Sequence, residues 1–514
     1  MALLIMKLAV VYIIRNYEID VCEDTNIKVE ASLMDFVLDF EMFGIEALVL
    51  VVFSLLLYIL LRKNANYWKW RNVPFEKPWP FIGNVLDVVL LRKNMAILMG
   101  DLYSKYSNER YFGVWIFTVP HLVIRCPELL KQILVKDFVH FIDRSVQCNE
   151  SVDAFSANMM FFSKDKKWKF IRTKTTSMFS SGKLKYIFPQ LQLIAKNMIS
   201  FISKRNNKSI YTADLAQKFS TEIICSVAFG IDAHSFQDND TLFTKVGKDV
   251  FKPNLKNSAV SATYFCKSYL VDILRLKFVD TRIEKFLTTT FMGIIGERQS
   301  MPTKRRDLVD LMADFRNKYK LKDHEVSAQA AQFFLAGYET TSSTVTFALY
   351  EIASNQDVQD KLREEINNNL NDEEEFSYNA IMSMCYLHKV ALETLRKYPV
   401  LPFLGRTCTR DYQIPNSNVI IEKGTSVFIP LTGLHWDPKH FPNPQKFDPD
   451  RFSEENIRAR HPYCYLPFGE GQRACIGERI ALISIKLGLA HLVKNFKLEL
   501  EKGTEVPKFS ANWN

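Results

Sequence analysis

At 514 residues, 47% hydrophobic and 24% charged, the chain has the composition of a large globular protein and not of a disordered one. Its formal net charge of +9 suits an acidic membrane surface or an acidic partner protein. The basic residues are dispersed, with no zinc-knuckle or RNA-binding signature, so no nucleic-acid partner is expected. Nine cysteines without a C-x-x-C pair or disulfide-framework spacing point to a reducing compartment, where most thiols are small core residues.

In chain order, residues 1–43 form an atypical extension whose apolar run LAVVYII is too short to span a bilayer. Residues 44–61, GIEALVLVVFSLLLYILL, are interrupted only by the charge of Glu46, and their length approaches the roughly 20 residues that cross a membrane. Arg62, Lys63, Lys69, Arg71 and Lys77 follow, so a single transmembrane helix with a cytosolic body behind it is expected. Residues 62–84 make a basic linker in which Pro74, Pro78 and Pro80 stiffen the chain. Helical periodicity dominates from 85 to about 397, as in TEIICSVAFG and DVQDKLREEINNNL. Over 400–435 it gives way to short β-branched runs such as NVIIEKGTSVFIP. A last helix is predicted from about Gly477. The expected class is mainly α with a smaller β-sheet region, residues 85–514 forming one unit.

Two stretches carry chemistry. In FGEGQRACIG (residues 468–477), Gly469 and Gly471 permit a tight turn and close backbone approach to a flat ligand. Cys475 falls at the start of a predicted helix, whose unpaired N–H groups should lower a thiol's pKa and favour thiolate. A lone thiolate cannot build a four-ligand zinc site, but it can be the one protein ligand of a haem. The second stretch is AGYETT (residues 336–341), inside a long helical pattern. Glycine and paired threonines are poor mid-helix choices, and such broken local rules mark functional places. Ala336 and Gly337 would admit a flat macrocycle and dioxygen, Thr340 offers a hydroxyl and Glu339 a carboxylate that can relay protons.

The pattern F-x-x-G-x-R-x-C-x-G at Phe468, Gly471, Arg473, Cys475 and Gly477 resembles the signature of the cytochrome P450 superfamily. AGYET is similar to that family's oxygen-activation motif, which implies that Thr340 holds the water network while Glu339 feeds protons. Glu393 and Arg396, three apart on one helix face, resemble the family's E-x-x-R pair, with Arg451 of PDRF as third member of a structural network. Trp168 and Arg172, Arg406 and Arg473 resemble its partners for the haem propionates. The strings KPWPFIGN, HFIDR and FFLAGYET look most like the insect sixth family of microsomal members.

The resemblance implies a cytochrome P450 fold behind the anchor, in the endoplasmic reticulum membrane with the catalytic domain facing the cytosol. Its implied cofactor is non-covalent haem b, held axially by Cys475, working with O2. Electrons would come from NADPH through NADPH–cytochrome P450 reductase, with cytochrome b5 as a further donor and Lys166, Lys167 and Lys169 as candidate docking residues. The implied reaction inserts one oxygen atom into a lipophilic substrate, a plant toxin, insecticide or endogenous lipid. Phe333, Phe334, Val400, Leu401, Phe403 and Leu404 flank the motifs and are expected to line an apolar pocket. Two departures stand out: Gln472 replaces the commoner proline, and the carboxy-terminal hairpin expected after residue 508 is apparently missing. Alternatives are a haem-thiolate isomerase or dehydratase, which Glu339 and Thr340 disfavour, and a haem-binding protein without turnover because of the short carboxy-terminus.

Overall fold

The computed structural model describes residues 52–53, 62–505 and 507, with breaks at 147, 206–208, 238–239, 253, 267–268, 301–306 and 372–374. The chain divides into two units, Met1–Lys63 and Asn64–Asn514. Most of the expected anchor, residues 44–61, lies outside the described residues, and among those described no helix is long and apolar enough to cross a membrane.

The second unit is mainly helical with a small mixed sheet. Aromatic and β-branched residues favour strands, and YFGVWI and VPHLVI form β1 (Tyr111–Ile116) and β2 (Val119–Ile124), paired antiparallel around a tight turn. β3 (Phe403–Thr407), β4 (Tyr412–Gln413), β5 (Ile420–Ile421) and β6 (Ser426–Pro430) come from the second β-rich region. The larger sheet runs β1-β2-β6-β3, with β6 parallel to β2 and antiparallel to β3; β4 and β5 pair separately. Half of this sheet therefore comes from a region read above as helical. A short buried strand is apolar on both faces, so its periodicity is indistinguishable from that of a buried helix turn.

The helices that frame the site are α1 (Asp165–Thr175), α2 (Ser181–Ser203), α3 (Thr212–Ile224), α4 (Leu242–Phe251), α5 (Asp323–Ser354), α6 (Cys385–Lys397) and α7 (Glu478–Asn495). At 32 residues α5 is roughly 48 Å long and runs through two cores. Val326 to Leu335 pack with Phe229, Phe243 and Phe291, while Val345 to Ile352 pack with α2, α3 and α7. Between the two cores, Ala336 is exposed although Leu335 and Tyr338 are buried. Burial on both sides and exposure at mid-length put the AGYETT stretch where the packing opens.

Candidate functional site

The loop before α7 is shaped by glycine. Gly469 and Gly471 have φ of 71° and 75°, which only glycine adopts readily, and a Cβ at Gly471 would overlap the Leu134 carbonyl. The Cys475 amide donates to the Phe468 carbonyl at 2.8 Å, closing the loop, and Gly477 caps α7. Cys475 is accessible, yet its thiol is surrounded by protein, so it lies in a recess. Burial pushes the thiol's pKa up, while the Gly477 N–H, Arg144 and Arg172 pull it down. The expected lowering by the helix start is thus corrected: that influence exists, but desolvation outweighs it.

Four arginines share the recess. Arg144 donates to the Arg473 carbonyl at 3.4 Å, and its charge, with that of Arg172, acts on Cys475. Arg473 lies 4.0 Å over the ring of buried Trp168 and donates to the carbonyls of Ile142 (2.9 Å) and Ser163 (3.0 Å). Burial and the neighbouring Arg144 and Arg406 press Arg473 down to about 8; burial and Arg144 bring Arg406 to about 9. Arg406 Nε and Arg473 Nη1 are buried and make no hydrogen bond among the described residues. Asp143, 3.5 Å from Arg473, is too little negative charge for this cluster. Buried N–H groups and like charges left so are costly. Both demands are met by a ligand carrying two carboxylates, as a haem does, beside a thiol suited to iron; the residues present fit that group. Arg144 was not among the propionate partners read from sequence, and its only signal was its place in HFIDR.

On α5, Thr340 Oγ1 donates to the Ala336 carbonyl at 2.6 Å, the two residues lying one turn apart on the same face of the helix. Glu339 lies on a different face, where Ser343 donates to its Oε1 at 3.0 Å and burial raises its pKa. At Gly337 an added Cβ would sit 2.7 Å from Ile224 Cδ1, so this glycine lets α3 pack closely on α5. Ile476, next to Cys475, packs against the cluster holding Phe333, Phe334 and Leu335, which joins the cysteine loop to α5.

The loop is also anchored from behind. Arg396 grips Glu393 with two hydrogen bonds (2.7 and 2.8 Å), both residues fully buried, and Arg451 Nε lies 3.4 Å from Glu393. Arg396 Nη1 also donates to the His435 carbonyl at 3.1 Å, and His435 Nε2 accepts the Leu466 amide at 2.9 Å, two residues before Phe468. His435, absent from the sequence reading, thus links the charged network to the cysteine loop; a lone histidine carries no sequence signal. Of the expected pocket residues, Val400, Leu401 and Leu404 are at least partly exposed. Phe333 is buried near Phe179, Phe334 is enclosed by Phe229, Phe243 and Tyr338, and Phe403 stacks on Phe428 at 4.3 Å. These three rings are core, because aromatic side chains beside a site bury best against one another.

Fold and recess together define a helical protein built to hold a dianionic ligand beside a single thiol. The chain belongs to the cytochrome P450 family, whose model matches residues 73–513. It is similar to probable cytochrome P450 6a13 of Drosophila melanogaster, 37% identical over 476 residues that cover 90% of this chain and 95% of that protein. It is also similar to cytochrome P450 6j1 of Blattella germanica, at 36% over 89% of this chain and 92% of the relative. Cytochrome P450 6B7 of Helicoverpa armigera is 35% identical over 89% of this chain and 93% of its own length. The protein is therefore a cytochrome P450 monooxygenase, an oxidoreductase of a family that uses thiolate-ligated haem, O2, a redox partner and a small-molecule substrate.

Proposed function

We propose that Cys475 is the iron ligand and that the protein oxidises lipophilic compounds with electrons passed from NADPH by a reductase. The observation that carries this reading is one recess holding an accessible thiol, Arg144, Arg172, Arg406 and Arg473, and two buried guanidinium N–H groups without acceptors among the described residues. A thiolate-held haem supplies oxygen activation, the sulfur's electron donation favouring O–O cleavage. Trp168 and the arginines hold and orient its carboxylates. Thr340 orients water at the oxygen site, and Glu339, whose carboxyl pKa is raised by burial, passes protons towards it. Glu393, Arg396 and Arg451 keep the cysteine loop in place.

Exposed Lys166, Lys167 and Lys169 surround buried Trp168 on α1 and give an acidic reductase, and cytochrome b5, a basic face. The apolar run at 44–61 supports anchorage in the endoplasmic reticulum membrane with the body in the cytosol. The substrates are xenobiotics of plant-toxin or insecticide type, or endogenous lipids, met by Val400, Leu401 and Leu404. The test is the reduced, carbon monoxide-bound spectrum. The native chain should give the strongly red-shifted Soret band of thiolate ligation and Cys475→Ala should lose it. A folded, haem-loaded native chain without that band would refute the ligand assignment. The band without NADPH- and reductase-dependent oxidation of any lipophilic compound would favour the non-catalytic haem binder instead.

A further inference from the structure

Near the carboxy-terminal end of α5 stands a buried carboxylate, Glu351. Three groups converge on it: Lys397 donates to Oε1 at 2.7 Å, the Tyr398 hydroxyl donates to the same oxygen, and Asn355 donates to Oε2 at 3.3 Å. A buried charge needs such partners. Two of these are the last residue of α6 and the residue that caps it. The Tyr398 ring also lies flat on Phe347 of α5, with centroids 4.4 Å apart and planes 5° from parallel. Phe347 and Glu351 continue, at three- and four-residue spacing, the face of α5 that carries Ala336, Thr340 and Thr344. From this anchor the chain runs through Pro399, Val400, Leu401 and Pro402 into β3. The two prolines leave the backbone little freedom, and each restricts the residue before it. The far end is fixed as well: the Leu431 amide donates to the Pro402 carbonyl at 3.0 Å, and Phe403 pairs with Pro430 in the sheet. Leu404 then reaches the cysteine loop, 3.7 Å from where a Cβ on Gly469 would stand. A stiff segment thus spans from α5 to the loop of Cys475, and Val400 and Leu401 on it keep exposed surface.

We propose that Glu351 is a positioning residue for the substrate: by holding Lys397 and Tyr398 it sets where the wall formed by Val400 and Leu401 stands, and so how a long apolar substrate lies against it. The proposal rests on the reading above that Val400, Leu401 and Leu404 meet the substrate. α5 then carries Thr340 at the oxygen site and, roughly 16 Å further along the helix, the anchor of the wall. One rigid element holds both in a common frame. Without the anchor the segment pivots on its sheet end and the wall shifts. The cysteine loop, tied separately through Arg396 and His435, keeps its place.

The test titrates the haem-loaded full chain with two ligands and follows the Soret shift. One is 1-dodecylimidazole, whose azole nitrogen takes the iron while its alkyl chain needs the wall; the other is imidazole, which needs the iron alone. Glu351→Ala should weaken 1-dodecylimidazole roughly fourfold or more, the cost of losing about one methylene of apolar contact, and leave imidazole unchanged. Glu351→Gln, whose amide oxygen still accepts both hydrogen bonds, should bind both ligands as the parent does. If Glu351→Ala lacks the reduced carbon monoxide band of folded protein, Tyr398→Phe is read in its place by the same criterion; it loses only the hydroxyl and keeps its ring on Phe347. Equal weakening of both ligands, or no weakening of either, overturns the proposal. Leu401→Ala separates it from the reading beneath it. If that variant weakens 1-dodecylimidazole and Glu351→Ala does not, the wall stands and the positioning role falls. If Leu401→Ala leaves 1-dodecylimidazole binding unchanged, the wall reading falls and takes the proposal with it.

Discussion

Arg473 touches three parts of the site at once: it stacks on Trp168, holds the segment around Ile142 and Ser163, and keeps one N–H without an acceptor among the described residues. A hydrogen bond to a charged group contributes about 1.5–3 kcal/mol, so Arg473→Leu should weaken haem retention by about 10- to 100-fold. Haem transfer to a scavenging apoprotein measures this directly, and unaltered retention would count against the propionate assignment. Thr340→Ala removes a hydroxyl whose observed bond is to its own helix, at the Ala336 carbonyl. That variant should keep the carbon monoxide band while more of the NADPH consumed appears as hydrogen peroxide. A coupling ratio equal to the parent's would argue that Thr340 merely caps a helix turn.

At the scale of elements, the cysteine loop depends on backbone shape more than on side-chain contacts. Gly471→Ala meets both a φ of 75° and the Leu134 carbonyl, which is backbone and cannot yield like a flexible side chain. The expected outcome is protein that folds poorly or binds no haem, read from the ratio of haem absorbance to protein. The network behind the loop has a different weakness. Glu393→Ala would leave Arg396, fully buried, without its carboxylate, a change that costs about 3–5 kcal/mol. Denaturant titration should show that loss, and a change below about 1 kcal/mol would mean the pair is expendable.

The whole molecule buries several histidines in neutral form. Burial lowers His121 to about 4, His435 to about 3 and His491 to about 4. Unfolded, each titrates near 6.5 and takes up a proton that the folded state refuses, so the unfolded chain binds more protons between those values. Stability is therefore full above about pH 6.5 and falls as pH drops towards 4, by about a few kcal/mol per histidine. Glu222 acts oppositely: burial brings it to about 7, so its protonated form favours the fold at low pH and that contribution fades as pH rises through 4.5 to 7. Urea denaturation from pH 7.5 to 4.5 should show a net decline, three histidines outweighing one glutamate; a flat profile would contradict their burial.

Read alone, the chain's residues determined the mainly helical class, the carboxy-terminal end of α6 and the start of α7, and the positions of Cys475, Arg473, Trp168, Glu393 and Arg396. Those features are local: caps, periodicity and short motifs act between residues a turn or two apart. What local pattern could not decide was anything set by partners far along the chain. The β1–β2 hairpin joined the larger sheet because β6, some 300 residues later, supplies a parallel neighbour to β2. Gly337 faces Ile224 because α3 crosses α5 there. Phe334 became core through Phe229, and Arg144 joined the site through Arg473, contacts more than 100 residues away in sequence. The thiol's pKa followed the same rule: its helix start was visible in the residues, but the burial that outweighs it belongs to the tertiary structure alone, because desolvation depends on everything packed around a group.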